Sequence, residues 1–296
     1  MPELPEVETV CRGLRRLIVG KVIKSAKDIE SPKSFPNVPS EVDNFLVGSS
    51  IIAVRRRAKV ILIDLLSQYT LVIHLKMTGQ LVFIDDKSDR FGAGHPSDSL
   101  VGKLPDRSTR VVVEFSDESH LYFNDQRRFG WVKLLPTSEV PNMKFMQKVG
   151  PEPLEDSFTA KDFIQRIRRR NGTTIKAAIL DQTVLAGVGN IYADESLWGA
   201  KIHPSTRVRD IPDAQLEKLL NEIKDVMNLS IKKGGSTNRN YVDAEGKKGS
   251  YMDFARVFHR EGLPCPEHPD VLIEKIRVAG RGTHVCLVCQ THLVET

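Results

Sequence analysis

The sequence predicts an α+β protein: one N-terminal helix, a strand-rich first half, and a helical second half that ends in a cysteine-bearing hairpin. Three observations carry that prediction. Apolar residues recur at helical spacing over 5–18, short Val- and Ile-rich runs separated by turn residues fill 21–135, and the helical period returns after a proline-rich stretch.

The first helix is read from Val7, Val10, Cys11, Leu14, Leu17 and Ile18, which form one stripe and stop before Gly20. Cys11 lies on that stripe and reads as a small buried hydrophobe. Strands are expected at 21–26, 50–56, 59–66, 71–76, 79–84, 110–116, 119–124 and 130–135, a spacing that suits a sandwich or a barrel. Residues 86–105 are rich in Gly, Ser, Asp and Pro and read as a long loop, mobile or functional. Four prolines within 136–156 mark an interdomain linker. Helices are then expected at 159–170, 173–181, 191–200 and 211–233, an irregular stretch at 234–256, and the hairpin within 257–292. The expected domains are therefore 1–135, 157–256 and 257–296, joined through the 136–156 linker.

Composition bounds the function. The chain has 296 residues, 40% hydrophobic and 27% charged, which are globular values with room for two domains. Lys and Arg number 43 against 38 Asp and Glu, a net charge of +5. The excess is modest, but it is clustered at Arg55–Lys59, Arg127-Arg128, Arg166–Arg170 and Lys232–Arg260. Any single run is an ordinary solvated face; several together suit a surface that follows a polyanion such as DNA. No stretch approaches the ~20 apolar residues needed to span a bilayer, and no secretory leader is present. The expectation is a soluble, cytoplasmic (nucleoid-associated) protein that engages no membrane.

Cys265-Pro266-Glu267-His268 is followed by Cys286-Leu287-Val288-Cys289. Two x₂ pairs at this separation match a structural zinc site, each pair making a knuckle and the intervening chain a hairpin. Four protein ligands leave no open position for catalysis. His284 is a rival for the fourth ligand; His268 completes the symmetrical spacing. Between the pairs, Gly280-Arg281-Gly282 places an arginine at the expected hairpin tip, within reach of a phosphate or base. Leu185-Ala186-Gly187-Val188-Gly189-Asn190 runs into a helix, with Asn190 at the expected N-cap and free backbone N–H groups facing an anion.

The N-terminus reads Met1-Pro2-Glu3-Leu4-Pro5-Glu6-Val7-Glu8. Removal of Met1 would leave Pro2 with a secondary amine, and an α-amine of pKa about 7.7–8.0 is partly nucleophilic near neutrality. Carboxylates beside it equip the chain for Schiff-base catalysis. The same prolines and acids also make an ordinary helix start.

Together these stretches, with Gly150-Pro151-Glu152-Pro153-Leu154, Asp181-Gln182, Ala186 through Glu195, and Val278 through His284, resemble bacterial formamidopyrimidine-DNA glycosylase along essentially the whole chain. The resemblance implies an N-terminal helix plus β-sandwich catalytic domain, a helix-two-turn-helix DNA-binding domain and a zinc-finger β-hairpin. It implies a bifunctional glycosylase and AP lyase that excises oxidised purines from damaged double-stranded DNA and cuts the strand by β,δ-elimination. Pro2 would be the nucleophile, Glu3 the acid/base, Glu6 a supporting residue and Lys59 a phosphate-contacting catalytic lysine. Met77, Arg127 and Phe129 would fill the void left by the extruded base; Asn190 and Arg281 would clamp phosphates; Tyr241 would lie in the base-capping loop. One structural Zn²⁺ would sit on Cys265, His268, Cys286 and Cys289, and the protein would be a monomer. The sequence departs from the family pattern at His268 (usually cysteine), Ala58 (usually glycine), Gln126 (often proline), in Asp106–Arg110, and in the length of 86–105. Two other readings are an endonuclease VIII-like enzyme for oxidised pyrimidines, which Leu4 and the Met77/Arg127/Phe129 set disfavour, and a non-catalytic zinc-containing DNA-binding protein, which joint retention of Pro2, Glu3 and Lys59 disfavours.

Overall fold

The computed structural model describes residues 2–95, 97–236 and 251–291. The chain divides into two compact units, one running through Gln147 and taking in Lys233 to Ser236, the other comprising Lys148–Lys232 and the chain from Tyr251 onward.

In the first unit, helix α1 (Leu4–Ile18) is entered through Glu3, with Pro5 in its first turn and Glu6 accepting the Glu3 N–H at 2.8 Å. Proline suits this position because the first N–H groups of a helix have no partner within it. Among the described residues nine strands follow: β1 (Ile23–Asp28), β2 (Ile51–Arg57), β3 (Val60–Leu65), β4 (Tyr69–His74), β5 (Gly79–Ile84), β6 (Arg90–Gly94), β7 (Thr109–Phe115), β8 (His120–Asp125) and β9 (Trp131–Pro136). They form two antiparallel sheets, ordered β1-β7-β8-β5-β6 and β2-β3-β4-β9. Between the two readings left open by the strand spacing, this is the sandwich. Ile61, Ile63, Leu71 and Ile73 of one sheet and Leu81, Phe83, Val113 and Phe123 of the other share one buried cluster with Val7, Val10, Cys11 and Leu14 of α1. Cys11 is fully buried, and burial followed by the nearby Glu8 carboxylate pushes its thiol up to about 12. It is inert packing, as its place on the stripe predicts. The second face of β3 is covered as well: Val60, Leu62 and Val72 pack with Val140, Trp131 and Phe145.

Three elements differ from the sequence reading. Helix α2 (Pro39–Phe45) is short and buries only Val42, so it leaves little periodic signal. Strand β6 lies inside the expected loop 86–105 and pairs with β5 in the register Phe83↔Phe91. Its sequence, Arg90-Phe-Gly-Ala-Gly94, is too glycine-rich to read as a strand; pairing and burial of Phe91 impose it. A Cβ at Gly13 would stand 2.0 Å from the Phe91 ring, so the glycine in mid-α1 is what admits β6 to the core. Helix α3 (Lys144–Lys148) falls in the expected linker, and the boundary between the units lies at its end.

The second unit contains α4 (Ala160–Ile167), α5 (Ile175–Leu180), α6 (Asn190–Gly199), α7 (Asp213–Lys232) and the hairpin of β10 (Glu274–Val278) and β11 (Arg281–Val285). Thr159 and Asp162 form a reciprocal capping box that starts α4. Helix α6 is buried on nearly every side, which its acidic residues do not advertise: Asp194 and Glu195 are both fully buried. Each is a post for the chain that follows. Asp194 receives Lys176 Nζ at 2.5 Å and the His284 N–H at 2.9 Å. Glu195 receives the backbone N–H groups of Arg256, Val257 and Phe258 and the Tyr251 hydroxyl. Trp198 then packs against Val257, Cys265, Ile273, Cys286 and Cys289.

Candidate functional site

Pro2 is buried at the mouth of α1, beside Glu3 and Glu6, which are 4% and 6% exposed. Glu6 is held at both oxygens: one accepts the Glu3 N–H at 2.8 Å, the other the Ser236 N–H at 2.9 Å. A carboxylate with its lone pairs so engaged is a fixed support.

Lys59 lies in the two-residue turn between β2 and β3, whose flanking pair is Arg57↔Val60, and is 6% exposed. Ala58 precedes it at φ +52, in the left-handed region where a glycine is easiest to place. Facing this turn, His74 pairs with Val60 across the sheet and accepts the Lys76 N–H on Nδ1 at 3.1 Å. Burial, then the Lys76 and Lys59 cations, push its imidazole down to about 3, so it is neutral at any working pH.

Met77 and Phe129 are 39% and 54% exposed, and the Arg127 guanidinium lies 4.8 Å from the Phe129 ring centre. The two turns carrying them are joined by a residue that sequence reading passed over. Asp125, fully buried, accepts the Thr78 hydroxyl and the Arg127 N–H (3.2 Å) on one oxygen and the Gly130 N–H (2.6 Å) on the other. Arg110 braces the Asp125 carbonyl at 2.9 Å. The only sequence signal was an acid directly after an alternating strand, where turn acids are common.

In the second unit, Gln182 organises the loop before α6: its Oε1 accepts the Gly187 N–H and its Nε2 donates to the Leu180 and Val188 carbonyls. The N-cap of α6 is Gly189, one residue before the predicted Asn190, because an extended glycine leaves Asn190 inside the first turn. The Asn190 side chain is thereby free of capping and donates to the Gly282 carbonyl at 3.0 Å, which brings it beside exposed Arg281. The hairpin tip is also corrected. Ala279 and Gly280, at φ +51 and +74, form the turn, and Arg281 opens β11 paired with Val278. Left-handed φ at both central residues is what a type I′ two-residue hairpin turn requires.

The ligand atoms of Cys265, His268, Cys286 and Cys289 all lie within 4.8 Å of one another, a set that can hold a metal ion. Cys265 Sγ and Cys289 Sγ are 3.6 Å apart, close to the roughly 3.8 Å edge of a tetrahedron with ~2.3 Å metal–sulfur bonds. Burial opposes ionisation of Cys265, but the Glu267 and His268 N–H groups pull its thiol down to about 6. His268 Nδ1 is 3.1 Å from Cys289 Sγ, whereas His284 Nδ1 faces Asp194 Oδ2 at 3.1 Å. Tyr241 lies outside the described residues.

The sequence profile of the formamidopyrimidine-DNA glycosylase N-terminal domain matches residues 1–132, and that of the corresponding H2TH domain matches 149–242. The formamidopyrimidine-DNA glycosylase of Desulforamulus reducens is 40% identical over 98% of this chain and 99% of its own length. That of Herpetosiphon aurantiacus is 41% identical, covering 98% and 100%. A Lactococcus lactis FPG variant complexed with Fapy-dG-containing DNA superposes with a TM-score of 0.85 at 32% identity, over 98% of this chain and 100% of that one. The chain belongs to the formamidopyrimidine-DNA glycosylase family.

Proposed function

We propose that the protein is a bifunctional DNA glycosylase and AP lyase of base excision repair that removes oxidised purines, 8-oxoguanine and formamidopyrimidines, from duplex DNA. The observation that carries this is Pro2, buried beside Glu3 and a doubly anchored Glu6 in a chain whose relatives bear that name along their whole length. A Lactococcus lactis Fpg structure at TM-score 0.83 and 32% identity holds DNA with an abasic site.

In this reading, removal of Met1 frees the Pro2 amine, whose lone pair attacks the deoxyribose C1′ while the bond to the damaged base breaks. Glu3 supplies and recovers the protons of base release and ring opening, and an iminium forms at Pro2. Loss of the 3′ phosphate and then of the 5′ phosphate by β- and δ-elimination cuts the strand on both sides. The positive end of α1 disfavours a protonated Pro2 amine, while the hydrogen bonds to Glu6 spend part of the opposing carboxylate charge. Lys59 contacts phosphate next to the lesion. Met77, Arg127 and Phe129 fill the gap in the stack, the guanidinium facing the orphan cytosine. Asn190 and Arg281 hold phosphates, and Tyr241 belongs to the base-capping loop. Zinc is the metal for Cys265, His268, Cys286 and Cys289: thiolates with one imidazole suit it, and a closed four-ligand set supplies folding energy and no reactive position. The protein acts as a monomer on cytoplasmic, nucleoid DNA. The domain assignment proposed is catalytic for 1–135, DNA-binding for 157–256 and finger for 257–296.

Two duplexes test the reading, one with 8-oxoguanine opposite cytosine and one with an oxidised pyrimidine. Faster excision of 8-oxoguanine, with strand ends cut on both sides, is expected. Preference for the pyrimidine would favour the endonuclease VIII-like alternative, and absence of cutting on both would leave a DNA-binding protein only.

A further inference from the structure

Beside the finger, the second unit holds another group of metal-ligating side chains. The ligand atoms of His259, Glu261 and His284 lie within 4.8 Å of one another. His284 is 2% exposed, yet its Nε2 makes no hydrogen bond among the described residues. Its other nitrogen is fixed. Asp194 Oδ1 accepts from Lys176, and Asp194 Oδ2 faces His284 Nδ1 at 3.1 Å and also accepts the His284 N–H. The Asp194 carboxylate thus holds the Nδ1 edge of the ring and turns the Nε2 edge toward Glu261 and His259. A carboxylate behind a histidine is how metal-binding imidazoles are oriented.

The outward nitrogen has something to meet. Glu261 Oε2 is 3.2 Å from it, and the carboxylate's other oxygen is already taken by Lys275 Nζ at 2.9 Å. His259 closes the group with its ring centre 5.5 Å from that of His284. Its backbone is left-handed at φ +56, directly after Val257 and Phe258 are pinned by Glu195, so the chain is held in an uncommon conformation that keeps this side chain here.

We propose that His259, Glu261 and His284 form a second, exchangeable site for a divalent transition-metal ion, distinct from the cysteine-bearing finger. Two imidazoles and one carboxylate suit zinc, cobalt or nickel and not magnesium or calcium, which prefer all-oxygen shells. His259 and Glu261 are exposed, so water completes the coordination and the ion exchanges with solvent, unlike one enclosed by four protein ligands. Asp194 is the supporting partner, and through it the site is tied to the base of β11, which begins at Arg281.

The test uses the full chain with one zinc already in the finger, titrated with cobalt(II). One further equivalent is expected to bind with weak d–d absorption and no thiolate-to-metal charge-transfer band. His259→Ala and Glu261→Gln should each weaken that step by at least about 100-fold, the upper end of what loss of a mere supporting partner costs, and leave the zinc content at one. Absence of a second equivalent would overturn the proposal. So would a charge-transfer band, which would place the cobalt on cysteine, or a second equivalent bound equally well by both variants.

Discussion

His74 lies opposite Val60, the residue after Lys59, and feels the Lys59 cation. The histidine is held neutral by burial and by two lysine cations, so it adds no positive charge beside Lys59. Because its folded pKa lies below the ordinary value of about 6.5, the unfolded chain takes up the proton first. Its contribution to stability is full above that value and is lost as pH falls from 6.5 toward 3. Lowering the pH from 7 to 5 should therefore cost about 2 kcal/mol of unfolding free energy through this one residue. Urea unfolding at the two pH values should show a pH sensitivity smaller by that amount in His74→Asn; an unchanged sensitivity would contradict the assignment. Lys59→Ala should lower the excision rate by at least ~100-fold, the scale of a positioned catalytic group, while shifting unfolding free energy by about 1 kcal/mol or less. A rate unchanged on 8-oxoguanine would remove Lys59 from the chemistry.

At the scale of elements, Asp125 is the residue that turns two surface turns into one device. It joins the turn bearing Met77 to the turn bearing Arg127 and Phe129 through three donors to one carboxylate. Asp125→Asn places an amide NH₂ among those donors and should cost about 2–3 kcal/mol of stability. If the turns work as a unit, affinity for an abasic-site duplex should fall by more than affinity for undamaged DNA; equal losses would make Asp125 a fold residue only. This device was partly legible in the sequence. Met77, Arg127 and Phe129 stood out as residues, but nothing local connects a threonine at 78 to an acid at 125. Likewise α1 was readable because its stripe is regular, whereas β6 was hidden by two glycines whose purpose is tertiary: pairing with β5 and seating Phe91 against Gly13. The cysteine pairs were readable because ligand spacing is local. The separate surroundings of His268 and His284 were not, since His284 faces Asp194, 90 positions before it.

For the whole molecule, the modest net charge of +5 matters less than where cations are held. Arg281 is exposed at the start of β11 next to Gly282, whose carbonyl takes the Asn190 amide, so one cationic and one neutral side chain share a short piece of surface. Their effects on DNA binding should separate by salt. Replacing Arg281 with Ala should weaken binding and reduce the slope of log affinity against log salt by about 1, as loss of one phosphate neutralisation does. Asn190→Ala should weaken binding with the slope unchanged. Equal slopes for both variants and the parent protein would mean that Arg281 meets no phosphate.

The reading of the whole chain rests on the amine at its start. Borohydride reduction of the protein with a duplex carrying 8-oxoguanine opposite cytosine, followed by peptide mapping, tests it most directly. With Met1 removal verified, a covalent protein–DNA adduct on Pro2 is expected, and it should be lost in Pro2→Gly blocked at its amino group. No adduct from the processed protein, or an adduct mapped to a lysine instead, would contradict the proposed mechanism.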